Sequence, residues 1–99
     1  MQVIFSTLAE SDLEEIGDYI AADNRQRAVT FVQELVKRCQ ELAATPTAYP
    51  ARPQLKDGLR ARPHGRYIIF YMANPEQVFI VRILHGAQDF EALFKEPES

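Results

Sequence analysis

Ninety-nine residues, 46% hydrophobic and 25% charged, fit a single small domain with one core and leave no room for a second. No apolar run approaches the roughly 20 residues that span a bilayer, and no basic stretch leading into an apolar one marks a secretion signal. The lone cysteine, Cys39, rules out an internal disulfide, so a cytoplasmic protein is expected. The net charge of −3 hides an asymmetry: residues 1–45 carry eight acids and four bases, whereas residues 51–85 carry six bases against Asp57 and Glu76. A basic middle in an acidic chain points to a local anion or protein site and away from general nucleic-acid affinity, which rests on many phosphate contacts.

Gln2–Ser6 is a short apolar run suited to a first strand. Thr7-Leu-Ala-Glu10 has the form of a capping box, and acids crowd the first half of the helix it opens. Ala9, Leu13, Ile16 and Ile20 form its apolar stripe, and Gly17 offers close helix packing. This helix is expected to end near Ala22. Asn24 is a good N-cap for a second helix, with a stripe of Ala28, Phe31, Leu35, Cys39 and Leu42 widened by Val32 and Val36. Cys39 reads as core rather than nucleophile. Pro46 forces this helix to end before it. The short Asp23-Asn24 turn makes the two helices an antiparallel hairpin. Thr45–Pro53, with three prolines in nine residues, is a stiff connector.

The stretch Leu59–Asp89 predicts three strands and two tight turns. Tyr67–Met72 and Val78–Leu84 are apolar at nearly every position and need cover on both faces. Pro63-His64-Gly65 reads as a three-residue hairpin loop, with Arg62 opposite Arg66, and Ala73–Gln77 as a five-residue loop, with Met72 opposite Val78. That register puts Arg60, Arg62, Arg66, Ile68, Phe70, Met72, Val78, Ile80, Arg82 and Leu84 on one face. The other face carries Leu59, Ala61, Tyr67, Ile69, Tyr71, Phe79, Val81, Ile83 and His85. The helix hairpin covers the second face, which leaves the first as an apolar floor with an arginine rim, open to a partner. A slip of one residue in either hairpin would scatter the arginines between faces. After Asp89 a short helix, Phe90–Phe94, is expected to fray or to dock Leu93 and Phe94 on the sheet.

Four arginines on one face suit a phosphate or carboxylates, or else pair with helix acids. His85 reads either as a general acid/base or as a satisfied strand-end residue, and His64 as an exposed turn residue. Two histidines, one cysteine and scattered acids lack metal-ligand spacing. No glycine-rich phosphate loop follows a strand, and no serine sits in a nucleophile elbow.

These residues resemble the ParE branch of the ParE/RelE toxin superfamily, from Val3 to about Asp89. The resemblance rests on Ala9-x-x-Asp12-Leu13-x-x-Ile16-x-x-Tyr19-Ile20, Ala28-x-x-Phe31, Leu42-x-x-x-Pro46 and Gly58-Leu59-Arg60. It continues through Gly65-Arg66-Tyr67-x-Ile69-x-Tyr71 and Val81-Arg82-Ile83-Leu84-His85-Gly86-x-x-Asp89. It implies an α+β fold in which an N-terminal strand and a helix hairpin pack on a small, mainly antiparallel sheet. It also implies a cognate ParD-like antitoxin, a ribbon-helix-helix protein whose tail wraps the toxin, and no cofactor. ParE relatives poison DNA gyrase, whereas RelE relatives cut mRNA on the ribosome with basic residues and a C-terminal Tyr or His–Tyr. Here no tyrosine follows Tyr71, and Lys56 is the one lysine near the connector. The reading is therefore a non-enzymatic gyrase toxin. The alternatives are a RelE-like endonuclease or a diverged, non-toxic antitoxin binder. Arg60, Arg62, Arg66, Arg82 and His85 are the expected target contacts. Ile68, Phe70, Met72, Val78, Ile80 and Leu84 are the expected antitoxin contacts.

Overall fold

The computed structural model describes residues 1–95. In chain order the elements are β1 (Gln2–Phe5), α1 (Thr7–Ala21), α2 (Arg25–Glu41), β2 (Arg60–His64), β3 (Tyr67–Ala73), β4 (Gln77–His85) and α3 (Phe90–Phe94). The four strands make one sheet in the order β1-β4-β3-β2. β1 runs parallel to β4, and the other two pairings are antiparallel. This is the α+β architecture expected from the sequence, with the hairpin of α1 and α2 on one side of the sheet. None of its helices is long and apolar enough to cross a membrane.

The helix stripes form the core. Ala28, Phe31, Leu35, Cys39 and Leu42 are all buried, and the last four meet Ala9 and Ile16 of α1 and Ile69, Tyr71, Val78, Ile80 and Ile83 of the sheet. Cys39 is fully enclosed, and burial pushes its thiol up to about 12. A thiol at that value is almost wholly protonated near neutral pH, and the thiolate is the reactive form. Thiol reagents at pH 8 should therefore modify Cys39 only as fast as the protein opens; labelling at the rate of a free thiol would contradict this burial.

The α1 cap is Ser6, not Thr7. Ser6 is extended, its Oγ accepts from the Ala9 amide at 2.9 Å, and the same hydroxyl donates to the Val81 carbonyl at 2.7 Å. One side chain thus caps the helix and ties it to β4, which a hydroxyl one residue later could not do. Asn24 caps α2 as expected, accepting from the Arg27 amide at 3.0 Å.

Both strand hairpins depart from the expected register. The β2–β3 turn has two central residues, Gly65 and Arg66, so that His64 faces Tyr67, Arg62 faces Ile69 and Arg60 faces Tyr71. Gly65 has φ +59, the positive value a II′ hairpin turn needs at its first central position. The β3–β4 pairing starts at Ala73–Val78, and a bulge shifts it again between Phe70 and Tyr71, so that Phe70 faces Arg82 and Tyr71 faces Ile80. The slip is three residues in β2–β3 and one at the start of β3–β4, and any odd slip exchanges faces. Val78 and Ile80 therefore lie in the helix-side core, whereas Leu59 and Ala61 join Phe70 and Leu84 on the outer side.

That outer side is not open. Phe90 and Phe94 of α3 set their rings edge-on to Phe70, each with its centroid at 4.9 Å. Leu55 of the connector packs beside them. Phe94 docks as expected and Phe90 with it, but Leu93 points outward. The helix forms because Asp89 caps it, its Oδ1 accepting from the Ala92 amide at 3.3 Å. The connector closes the β2 edge, with Arg52 donating to the Leu59 carbonyl at 2.7 Å and Ala61 to that of Pro50 at 3.1 Å.

Candidate functional site

The expected arginine rim does not assemble, because three of its four members are engaged within the chain. Arg82 gives a bidentate pair to Asp12 of α1, through Nε at 2.8 Å and Nη2 at 2.9 Å. The same carboxylate accepts the Ile83 amide at 2.9 Å. A bulge lets two residues face one and leaves part of the ladder unpaired. Here it turns Arg82 toward α1, while Asp12 and Ser6 take the Ile83 amide and the Val81 carbonyl. The Asp12 carboxylate holds the Arg82 guanidinium above its ordinary pKa.

Arg60 donates to the carbonyls of Tyr49 at 2.7 Å and Thr47 at 3.3 Å, which pins the connector to β2. Arg62 donates to the Arg38 carbonyl at 3.0 Å, pairs with Glu41 at 3.1 Å and lies over the Tyr49 ring at 4.9 Å. It sits at the C-terminus of α2, where the helix dipole favours a cation. These arginines hold the fold together rather than line a surface.

Arg66 is different. It is exposed and makes no side-chain hydrogen bond or ion pair among the described residues. Its carbonyl accepts from the Gly86 amide at 2.8 Å, which fixes the β2–β3 turn beside the end of β4. His85 is there too, its ring edge-on to Tyr67 at 5.3 Å. Tyr19 of α1, 76% exposed, stands across from them. Two hollows of about 180 and 350 Å³ share Tyr19, Tyr67 and His85 as walls; Arg82 lines the smaller and Arg66 the larger. Of the five expected target contacts, the fold thus brings Arg66 and His85 to one exposed end, leaves Arg82 at its edge, and places Arg60 and Arg62 elsewhere.

The chemistry of this end suits binding. His85 Nδ1 accepts from the Ala87 amide at 3.1 Å, so that nitrogen is occupied by its own turn. His64 is not a free turn residue: it ends β2, its Nε2 lies 3.2 Å from Glu34, and its ring packs 5.5 Å from Phe31. Glu34 also pairs with Arg27, whose guanidinium lies over the Phe31 ring.

Two carboxyls near these elements lie below the ordinary carboxylate range, Glu34 through its hydrogen bond from Arg27 and Glu41 through that from Arg38. A depressed folded-state value means stability that is complete above the unfolded value of 4.5 and is lost as pH falls through the folded one. Both groups are solvent-facing, so the effect is small and salt-sensitive. In melts across pH, the gap between the wild type and a Glu34→Gln, Glu41→Gln variant should narrow below pH 4.5. A constant gap would show that these pairs contribute nothing.

The expected antitoxin contacts fare differently again. Phe70, Val78, Ile80 and Leu84 are buried, and Ile68 and Met72 half-buried, so these six do not form an open apolar groove. An open one lies instead along the outer side of the helix hairpin. It is about 620 Å³, floored by Leu13, Gly17, Ala21, Ala28 and Val32, with Val29 59% exposed on its rim. Gly17 gives it depth, since a Cβ there would meet Val32 Cγ2 at 3.4 Å.

Comparison with known proteins places this arrangement. The sequence profile of the family described as the ParE toxin of type II toxin-antitoxin system, parDE, matches residues 3–90. The chain belongs to the ParE toxin family. No curated protein matches it. Among solved structures, a chain of the chromosomal ParDE toxin–antitoxin system from P. aeruginosa is similar with a TM-score of 0.72 at 22% identity, covering 86% of this chain and 95% of that one. A chain of the RelBE2 toxin–antitoxin complex from Mycobacterium tuberculosis is similar with a TM-score of 0.60 at 23% identity, covering 85% and 95%. At these identities the likeness is one of fold.

Two residues of this ParE-family chain escaped the sequence reading of its site. Tyr19 lies one position short of the α1 stripe at Ile20, so its exposure was there to be read. Asp12 lies three residues after Ala9 and four before Ile16, on the buried stripe itself, and is 5% exposed. A carboxylate at a core position demands a cation, and Arg82 is that cation.

Proposed function

We propose that this chain is the toxin of a type II toxin–antitoxin pair, that it acts by binding DNA gyrase, and that a cognate antitoxin neutralises it. The observation that carries the binding part is the exposed end with Tyr19, Arg66, Tyr67 and His85. Tyrosine and arginine are the residues most enriched among energetic anchors of protein interfaces, and here the fold leaves the side chains of Tyr19 and Arg66 without a structural task. Binding is favoured over RNA cleavage because Arg60, Arg62 and Arg82, which could have stabilised a phosphate, are spent inside the chain. His85 Nδ1, the lone pair that could act as a general base, is held by its own turn. The neutralising partner is assigned to the hairpin groove, an apolar surface that stays open while α3 covers the outer side of the sheet.

Purified protein added to gyrase and supercoiled plasmid should block supercoiling or trap cleaved DNA. Expression of the chain alone should arrest growth, and co-expression of the antitoxin should relieve it. Unimpaired gyrase together with cut transcripts in a translating extract would replace this reading with the nuclease one. Normal growth with neither effect would leave a non-toxic antitoxin binder.

A further inference from the structure

The two walls of the hairpin groove carry opposite charge. On the α1 side Glu14 and Asp18, one turn apart and both exposed, line it. On the α2 side stand Arg25 and the neutral Gln33. The side chains of Glu14, Asp18 and Arg25 form no ion pair among the described residues, so their fields are not cancelled at close range. The floor is apolar and follows the crossing of Gly17 against Val32, which gives a channel that runs along the helices.

An apolar channel between two helices takes the apolar face of a third, read at i, i+3, i+4 and i+7 spacing. Such a helix can lie in the channel in either direction, and reversing it exchanges which of its flanks meets α1. With uncharged walls the two directions would bind alike. With these walls they do not.

Resting on the assignment of the groove to the antitoxin, we propose that its occupant is an amphipathic helix with one basic and one acidic flank. Glu14, Asp18 and Arg25 fix its direction by drawing the basic flank to α1. The groove floor supplies affinity and the walls supply orientation, a division in which charge selects among geometries rather than adding strength. Each exposed charge pair is weak, so a combined preference of about fivefold to tenfold at low salt is expected, falling as salt rises.

The test uses the full-length, isotope-labelled protein. The probe is a synthetic amphipathic peptide about four turns long, with a leucine stripe, lysines on one flank, glutamates on the other and a nitroxide at its N-terminus. Amide broadening should concentrate at one end of the groove, near Ala21 and Arg25 or near Leu13 and Gln33. It should move to the opposite end when the peptide's flanks are exchanged, and again when the protein carries Glu14→Lys, Asp18→Lys and Arg25→Glu together. These three positions are exposed, so the variant keeps the fold. Val29→Asp, which puts a charge on the groove's rim, should weaken binding of both peptides. Equal broadening at both ends, or broadening that ignores the exchanges, would overturn the directional role. Binding untouched by Val29→Asp would place the peptide elsewhere and overturn it too. If neither peptide binds, groove docking itself fails, while the gyrase assay judges the toxin reading separately.

Discussion

Replacing Asp12 by alanine should lower the free energy of unfolding by about 3–5 kcal/mol, the range for removing one partner of a buried ion pair. Against a total of about 5–15 kcal/mol for a domain of this kind, that is enough to leave a marginal fold. The cost has three parts. Arg82 keeps a charge that has lost its bidentate partner, the Ile83 amide loses its acceptor, and α1 is left tied to β4 only through its cap Ser6, by the hydroxyl and the backbone amide. Urea unfolding of the variant measures the total. A variant carrying Asp12→Leu and Arg82→Met removes both charges, and should cost clearly less than Asp12→Ala alone because no ion is then stranded. If the double variant is as unstable as the sum of the singles, the pair is not what holds α1 to the bulge.

The second large effect falls on activity, not on stability. Tyr19→Ala and Arg66→Ala should each weaken gyrase inhibition by a factor of about 10 to 30, the loss typical of truncating an interface anchor. Both side chains lie outside the core, so each change should alter unfolding by no more than about 0.5 kcal/mol. Binding of a helix in the hairpin groove should be untouched, since neither residue lines it. Arg60→Ala is the informative contrast: it should loosen the connector, with a loss of stability, rather than select against the target. Full gyrase inhibition by the Tyr19→Ala, Arg66→Ala double variant would remove this end of the molecule from the mechanism.

Much of the architecture was readable in the chain because single local rules govern it. Periodicity gave both helix stripes, Pro46 stopped the second helix, and Asn24 announced its cap. The strands themselves were also plain. What failed was register, by three residues between β2 and β3 and by one at the start of β3–β4, and an odd slip exchanges faces. Pro63-His64-Gly65 satisfies the composition of a three-residue loop, yet Gly65 serves equally as the first residue of a two-residue turn, and tertiary packing of Ala61 against Phe70 selects the latter. The bulge at Arg82 has no local signature, since it exists to serve Asp12, 70 residues earlier. These two shifts dissolved the expected arginine face and left Arg66 with His85. The open sheet face failed for another reason. The short helix Phe90–Phe94 and the docking of Phe94 are both legible, yet an open face is expected beside them, and the two phenylalanines are enough to cover Phe70.

The parallel pairing of β1 with β4 has a consequence for how the molecule comes into being. Ser6 and Asp12 are made well before their partners Val81, Arg82 and Ile83, which lie 70 to 75 residues downstream. Helix α1 can form early, yet it stays unanchored until β4 is available. Closing so long a loop costs entropy before any contact repays it. The seating of α1 against β4 therefore has to wait for that strand. That same event sets Tyr19 opposite Arg66 and His85, so the exposed end is completed only once β4 is in place.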